Sequence, residues 1–294
     1  MKTGISSWWI NKFFGYEEFC PKLRSIGYDC LDVPLTKAWQ RKLDIYDEPA
    51  SVWREYWKKI SEIIKDNGLE VSQTHATMPM DFISDGRFGQ AELDQFEKEI
   101  ESAAILGAPY IVIHPMNIAH GDNGKKEDFE RNMTYYGKII PILSEYGVKL
   151  AVENMFMWVN KRLMEPTGCS SAEDMVKYID GIGNGTVACL DTGHMNLLGF
   201  SVGDAVRTLG KRLAVLHIHD NFGISDEHAA PGFGTIDWHD FAAALYETEY
   251  KGVLSLETDN IAGAGRIAPE LIWNYADYAY HAVSHIRDLI TDKK

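Results

Sequence analysis

Cysteine is scarce in this chain: Cys20, Cys30, Cys169 and Cys189 are the only four, and no two form a CxxC pair. They are too few for a disulfide framework in 294 residues, so reduced structural thiols are expected. No apolar run exceeds strand length, and Met1 to Trp9 lacks the apolar core of a signal peptide. Neither a membrane span nor export is expected, and the compartment is read as cytoplasmic. Positive charge is also in short supply. Lys and Arg number 29 against 43 Asp and Glu, and the formal charge of -14 opposes nonspecific attraction to phosphate backbones or anionic lipid. A nucleic-acid partner is therefore disfavoured. There is no Gly/Ser or Pro-rich linker and no charge block, which implies one continuous domain over residues 1–294. At 45% hydrophobic residues, the chain has enough apolar surface for a large core.

What is present is an alternation. Short apolar runs predict strands at Thr3 to Ser7, Tyr28 to Val33, Leu69 to His75, Tyr110 to His114, Lys149 to Glu153, Val187 to Asp191, Ala214 to His219 and Val253 to Glu257. Longer amphipathic runs between them predict helices at Tyr16 to Ile26, Ser51 to Asn67, Gln90 to Leu106, Lys126 to Tyr146, Ser171 to Ile179, Val202 to Leu209 and Trp238 to Glu247. Arg266 to Leu289 supplies the eighth. Gly27, Gly68, Gly107 and Gly147 follow helix ends, where a left-handed cap is wanted, and each leads straight into a strand. Eight uninterrupted β/α units predict an α/β fold, a (β/α)₈ TIM barrel. An open doubly wound sheet is the alternative, but no GxGxxG follows the first strand.

Six short apolar runs end in a metal-capable side chain: His75, His114, Glu153, Asp191, His217 and Glu257. Buried charges and imidazoles are costly unless paired or ligating, so six at the C-terminal mouth of a barrel suggest a shared metal site. Parity agrees, since Val71, Gln73 and His75 share a face, as do Tyr110, Val112 and His114, and Val253, Ser255 and Glu257. His194 lies three residues after Asp191, where both can reach one cation, although Asp191 also suits a helix N-cap. His219 shares a face with His217, and Asp226, His228 and, less securely, His239 follow in the next loop and beyond. Carboxylates with imidazole and no thiolate suit Mn²⁺, Co²⁺, Mg²⁺ or Zn²⁺ rather than a structural zinc site.

The segments Val152-Glu-Asn154, Asp191-Thr-Gly-His194, His217-Ile-His-Asp220, Pro231-Gly-Phe-Gly-Thr-Ile-Asp-Trp238 and Ser255-Leu-Glu-Thr258 resemble, across essentially the whole chain, the sugar phosphate isomerase/epimerase superfamily. That superfamily has the xylose isomerase-like barrel. The resemblance to its ketose 3-epimerases implies one divalent ion, Mn²⁺ first, held by Glu153, Asp191, His217 and Glu257. It also implies a keto-sugar substrate, with Glu153 and Glu257, read as roughly opposite in the ring, exchanging a proton through an enediolate while His194 orients a substrate oxygen. The chain departs from those epimerases at Val159 and Gly223, where they carry a substrate-binding Glu and Arg, so the particular ketose and the carbon attacked stay open. No Lys/Arg cluster marks a phosphate site, although Lys161, Arg162 and Arg266 stand near, and a neutral sugar is favoured.

The same superfamily contains endonuclease IV. The positions matching its three-zinc site are His75, His114, Glu153, Asp191, His194, His217, Asp226, His228 and Glu257, and all hold ligating residue types. A multi-zinc phosphodiesterase on abasic DNA is thus an alternative, opposed by the acidic charge and by the lack of cationic, wedge-bearing loops. Sugar or inositol dehydratase and lyase chemistry is a closer one, and a non-catalytic sugar-binding barrel is ranked last because the ligand residues are all present. Trp8, Trp9, Asp32 and Trp158 are expected around the substrate pocket, where rings stack on the apolar face of a sugar. Met155 to Trp158 is read as a lid or as the contact of a homo-oligomer. Trp53, Trp57 and Ile60 form a helix stripe assigned to packing.

Overall fold

The computed structural model describes residues 1–35, 45–78, 88–117, 124–160, 163–258 and 267–292. The predicted apolar runs become eight parallel strands: β1 (Thr3–Ser6), β2 (Cys30–Pro34), β3 (Glu70–His75), β4 (Tyr110–Val112), β5 (Lys149–Glu153), then β8 (Val187–Asp191), β9 (Leu213–His217) and β10 (Leu254–Leu256). They pair in the order β10-β1-β2-β3-β4-β5-β8-β9. The ring closes between β9 and β10, where Ile218 N donates to Ser255 O at 2.8 Å and Glu257 N to Ile218 O at 3.0 Å. This is a single-domain (β/α)₈ barrel. Among the described residues two strands lie outside the ring and were not expected, an antiparallel hairpin of β6 (Phe156–Asn160) and β7 (Leu163–Pro166) that begins in the segment read as a lid or subunit contact.

The helices follow the amphipathic runs: α2 (Tyr16–Ile26), α3 (Ala50–Asp66), α4 (Gln90–Leu106), α5 (Gly124–Tyr146), α6 (Ala172–Ile182), α8 (Val202–Leu209) and α9 (Trp238–Glu247). Two short ones, α1 (Trp8–Asn11) and α7 (Thr192–Leu197), are too brief to show a periodicity. The last, α10 (Ile272–Thr291), starts later than Arg266 because a 3₁₀ turn at Pro269–Leu271 precedes it; Arg266 lies outside the described residues, as do Lys161 and Arg162. Gly107 caps α4 in the left-handed conformation at φ 78°, its N–H returned to Ala103 O and Ala104 O, which turns the chain directly toward β4.

Strand parity sorts the core. Ile111, Leu150, Val152, Leu190, Leu216 and Leu256 face the helices in one large apolar cluster, into which Trp53, Trp57, Ile60 and Ile64 of α3 project. Val112, Ala151, Cys189 and Val215, of opposite parity, form a separate small layer inside the barrel. Two residues further along each of these chain segments, on the same face, lies the polar layer of His114, Glu153, Asp191 and His217. All four cysteines are free and buried, and desolvation raises the thiol pKa of each, the mark of an unreactive structural thiol. No helix among the described residues is long and apolar enough to cross a membrane.

Candidate metal centre

The polar layer gathers at the C-terminal mouth. Glu153, Asp191, His217 and Glu257, from the ends of β5, β8, β9 and β10, each offer a ligand atom within 4.8 Å of the others'. His217 is wholly buried, and its Nδ1 stands 3.2 Å from Glu153 Oε2 and 3.2 Å from Glu257 Oε2 while making no hydrogen bond to either. A buried ring nitrogen aimed between two carboxylates is what a cation site requires. Metal bonds of about 2.0–2.2 Å put donors on one ion within about 4.4 Å of each other, close to the spacing found. The four side chains therefore fit a divalent ion. Glu153 and Glu257 are three strands apart in the ring, with β8 and β9 between, rather than roughly opposite as expected.

Glu153 belongs to a second group. His114 Nε2 approaches Glu153 Oε2 at 3.0 Å and His75 Nε2 at 2.9 Å, while His75 Nδ1 donates to Ala76 O at 2.8 Å. A third group joins His194, His219, Asp226 and His228. Here His228 Nε2 lies 2.9 Å from Asp226 Oδ2, and His194 Nδ1 donates to Asn154 O at 2.8 Å. His219 Nε2 meets Asp191 Oδ2 at 2.9 Å, and its ring stacks on His228 at 4.0 Å. Although His217 and His219 were read as sharing a face, they enter different groups. A side chain at Gly193 would collide with the His219 ring, which explains a glycine between Asp191 and His194.

Burial alone would push these carboxylates up and these imidazoles down, but their proximity reverses most of the shifts. Against that desolvation, His114 and His217 hold Glu153 well below the usual carboxylate range, and His194 and His219 lower Asp191. Desolvation likewise opposes His194, yet Asp191, Asp226 and Glu153 bring it up to about 10; at His217 desolvation is outweighed by Cys189 and then by the Glu257, Glu153 and Asp32 carboxylates, which raise that imidazole well above its ordinary value. At His114 desolvation wins, and its pKa is lowered. Among the protein groups alone, protons on imidazole balance the buried anions, and a divalent ion can take over that charge.

Two motif residues given no chemistry from sequence, Asn154 and Asp220, and the adjoining Asn221 hold this layer in place. Asn154 makes a reciprocal pair with the Asp191 backbone, donating to Asp191 O at 3.0 Å and accepting from Asp191 N at 2.8 Å, which sets Glu153 and Asp191 side by side. Asp220 accepts from Gly232 N at 2.9 Å and Trp238 Nε1 at 3.0 Å, anchoring the loop that follows Asp226 and His228. Asn221 Nδ2 donates to Gly193 O at 2.9 Å, and Asn221 O accepts from Thr235 N of that loop at 3.0 Å. These roles depend on contacts between distant segments, which no local spacing encodes.

The expected pocket residues separate. Trp9 is 0% exposed in the main core, edge-on to Tyr275 at 6.0 Å, so its ring packs there rather than lining a pocket. Trp8 is half-buried against the same core. Asp32 is 2% exposed and bonds His217 rather than facing open space. The Trp158 side chain lies outside the described residues, but its neighbour Phe156 sets its ring 4.9 Å from that of His194. His239 is exposed on α9, away from the cluster. A cavity of about 900 Å³ opens at the opposite, N-terminal mouth, lined by Lys65, Tyr110, Lys211 and Val253 among others; no residue of the metal-capable groups lines it.

Residues 20–282 match the family described as "Xylose isomerase-like TIM barrel". A D-psicose 3-epimerase of Enterocloster bolteae is 24% identical over 93% of this chain and 87% of its own. An uncharacterised protein of Methanocaldococcus jannaschii is 30% identical over 63% of this chain, the match spanning less than two thirds, 62%, of that relative. Among solved structures, a D-psicose 3-epimerase with D-tagatose from Clostridium cellulolyticum H10 superposes with a TM-score of 0.76 at 18% identity, covering 99% of each chain. At that identity the likeness speaks for the fold, and the sequence matches establish distant homology to ketose 3-epimerases. The chain belongs to the xylose isomerase-like TIM-barrel family.

Proposed function

We propose that this chain, acting as one catalytic unit over residues 1–294, is a divalent-metal-dependent isomerase or epimerase of keto-sugars. The observation that carries the reading is the convergence of Glu153, Asp191, His217 and Glu257 on one point, with the two glutamate carboxylates equidistant from His217 Nδ1. Held by these four side chains, a divalent ion, Mn²⁺ first among the candidates, would supply Lewis acidity that acidifies the C–H next to a ketone. Glu153, held ionised, takes that proton and leaves an enediolate. Glu257 in its protonated form returns a proton to the opposite face, and exchange with solvent resets the pair. His194 orients a substrate oxygen, and the Phe156 ring beside it offers an apolar surface to the sugar. Distant homology to D-psicose 3-epimerases supports a free ketose as the substrate class.

The test is exchange in D₂O. A panel of free ketoses incubated with the metal-loaded protein is expected to gain one deuterium at a carbon next to the carbonyl, read by mass spectrometry and ¹H NMR; no exchange into any of them would count against enediolate chemistry. A second reading is favoured by a specific observation, the metal-capable groups that adjoin the four residues above, among them His75 with His114 and Glu153, and His194 with His219, Asp226 and His228. These accommodate more than one ion, as an endonuclease IV-like phosphodiesterase requires. Two or three zinc ions per chain, cleavage of an abasic duplex and no deuterium exchange would replace the sugar reading with this one.

A further inference from the structure

We infer that Asp32, set in place by Gln73, is the positioning residue that presents His217 to the metal through Nδ1. The inference rests on the metal-site reading above and adds to it a function for a residue that sequence placed in the substrate pocket. An imidazole can offer a metal either nitrogen, and which one is free depends on what the other bonds. His217 Nε2 lies 3.1 Å from Asp32 Oδ2. A carboxylate only accepts, so the proton must sit on Nε2, and the Nδ1 lone pair is left facing Glu153 and Glu257.

Two observations set Asp32 apart from an ordinary buried acid. First, the pairing of β2 with β3 slips between Leu31 and Asp32: Leu31 is level with Val71, but Asp32 is level with Gln73, so Ser72 is the extra residue. An extra residue re-aims side chains. Without it, Asp32 would stand beside Ser72, whose side chain takes the other face; with it, Gln73 Nε2 donates to Asp32 Oδ2 at 3.0 Å. Second, both side chains are 2% exposed, beneath a His217 that is 0% exposed. Asp32 bonds the nitrogen remote from the glutamates, where a sugar at the mouth does not reach. Asp32 Oδ1 makes no hydrogen bond, so the negative charge of this buried group is balanced chiefly by what lies across the imidazole. A cation on Nδ1 provides that balance.

The experiment is a titration of the full-length, metal-stripped chain with Mn²⁺, comparing wild type with Asp32→Asn, Gln73→Leu and His217→Ala, each checked for folding by circular dichroism. Loss of such an orienting partner typically costs about 10–100-fold in metal affinity. Asp32→Asn is expected to weaken Mn²⁺ binding within that range and Gln73→Leu by less, with the KM of a ketose substrate at saturating metal unchanged. Long-range ¹⁵N–¹H spectra of wild type loaded with Zn²⁺ are expected to show His217 protonated on Nε2, with a low-field proton that moves upfield in Asp32→Asn. If His217→Ala weakens binding strongly while folded Asp32→Asn stays within twofold of wild type, the positioning role is wrong and the metal site stands. If His217→Ala binds Mn²⁺ as wild type does, the metal reading fails and this inference with it. Should Asp32→Asn not fold, a His217 protonated on Nδ1 in the Zn²⁺-loaded wild type would overturn the inference on its own.

Discussion

Glu153→Gln is expected to lower kcat/KM on the ketose that exchanges by about 10³-fold or more, since it removes a proton carrier whose contribution is typically 10²–10⁴-fold and a charged ligand along with it. The amide keeps the shape of the side chain but neither accepts a proton nor carries charge. Glu153 is 1% exposed, with imidazoles of His114 at 3.0 Å, His217 at 3.2 Å, His194 at 3.5 Å and His75 at 3.7 Å. These neighbours keep it ionised at neutral pH, the form a base needs, and also make it a weak base, so the C–H it attacks must be strongly acidified. The barrel itself is held by apolar layers on the helix side of the strands, and the variant should retain its far-UV spectrum. Near-normal turnover by Glu153→Gln, with metal still bound, would remove Glu153 from the mechanism.

Stripping the metal is expected to abolish turnover altogether and Mn²⁺ or Co²⁺ to restore it. Full activity in a protein verified as metal-free would contradict the account. Readdition should also stabilise the fold, by about 2.7 kcal/mol at a free concentration near 100 times Kd, seen as a rise in Tm. The effect carries a pH sign. His217, raised well above its ordinary value, holds a proton on Nδ1 in the metal-free chain at neutral pH, and an ion bonded there must displace it, while the positive charge of His194, raised to about 10, repels the ion. Metal affinity should therefore increase with pH. The stability that the raised His194 gives the metal-free chain is complete below the ordinary histidine value of about 6.5 and is lost as pH climbs through about 10. The stabilisation on adding metal should grow over that interval.

The ring of eight strands was legible because parallel strands buried on both faces read as apolar runs, and because six of those runs carry a polar group at or just beyond the strand end that has no reason to be buried except shared chemistry. The β6–β7 hairpin was not. Its alternation over Phe156–Asn160 and Leu163–Pro166 is short, and after Glu153 it read as a loop with rings. Trp9 was placed at the mouth because it follows β1, but α1 turns it into the core against Tyr275 of α10. The contact between Asp32 and His217 joins residues 185 apart and depends on a one-residue slip between two strands, and the reciprocal pair of Asn154 with Asp191 spans 37 positions. Local pattern carries which groups reach the mouth; which group holds which is decided by register.

The most direct test of the central claim is a crystal of the Mn²⁺-loaded protein with an anomalous difference map at the metal edge. The account predicts a peak bonded by Glu153, Asp191, His217 Nδ1 and Glu257. A single peak there accords with the sugar isomerase or epimerase reading, while additional peaks at His75 with His114 and at His194 with Asp226 and His228 would favour the multi-metal one. A map with no peak among those four side chains, in crystals soaked at saturating metal, would contradict it.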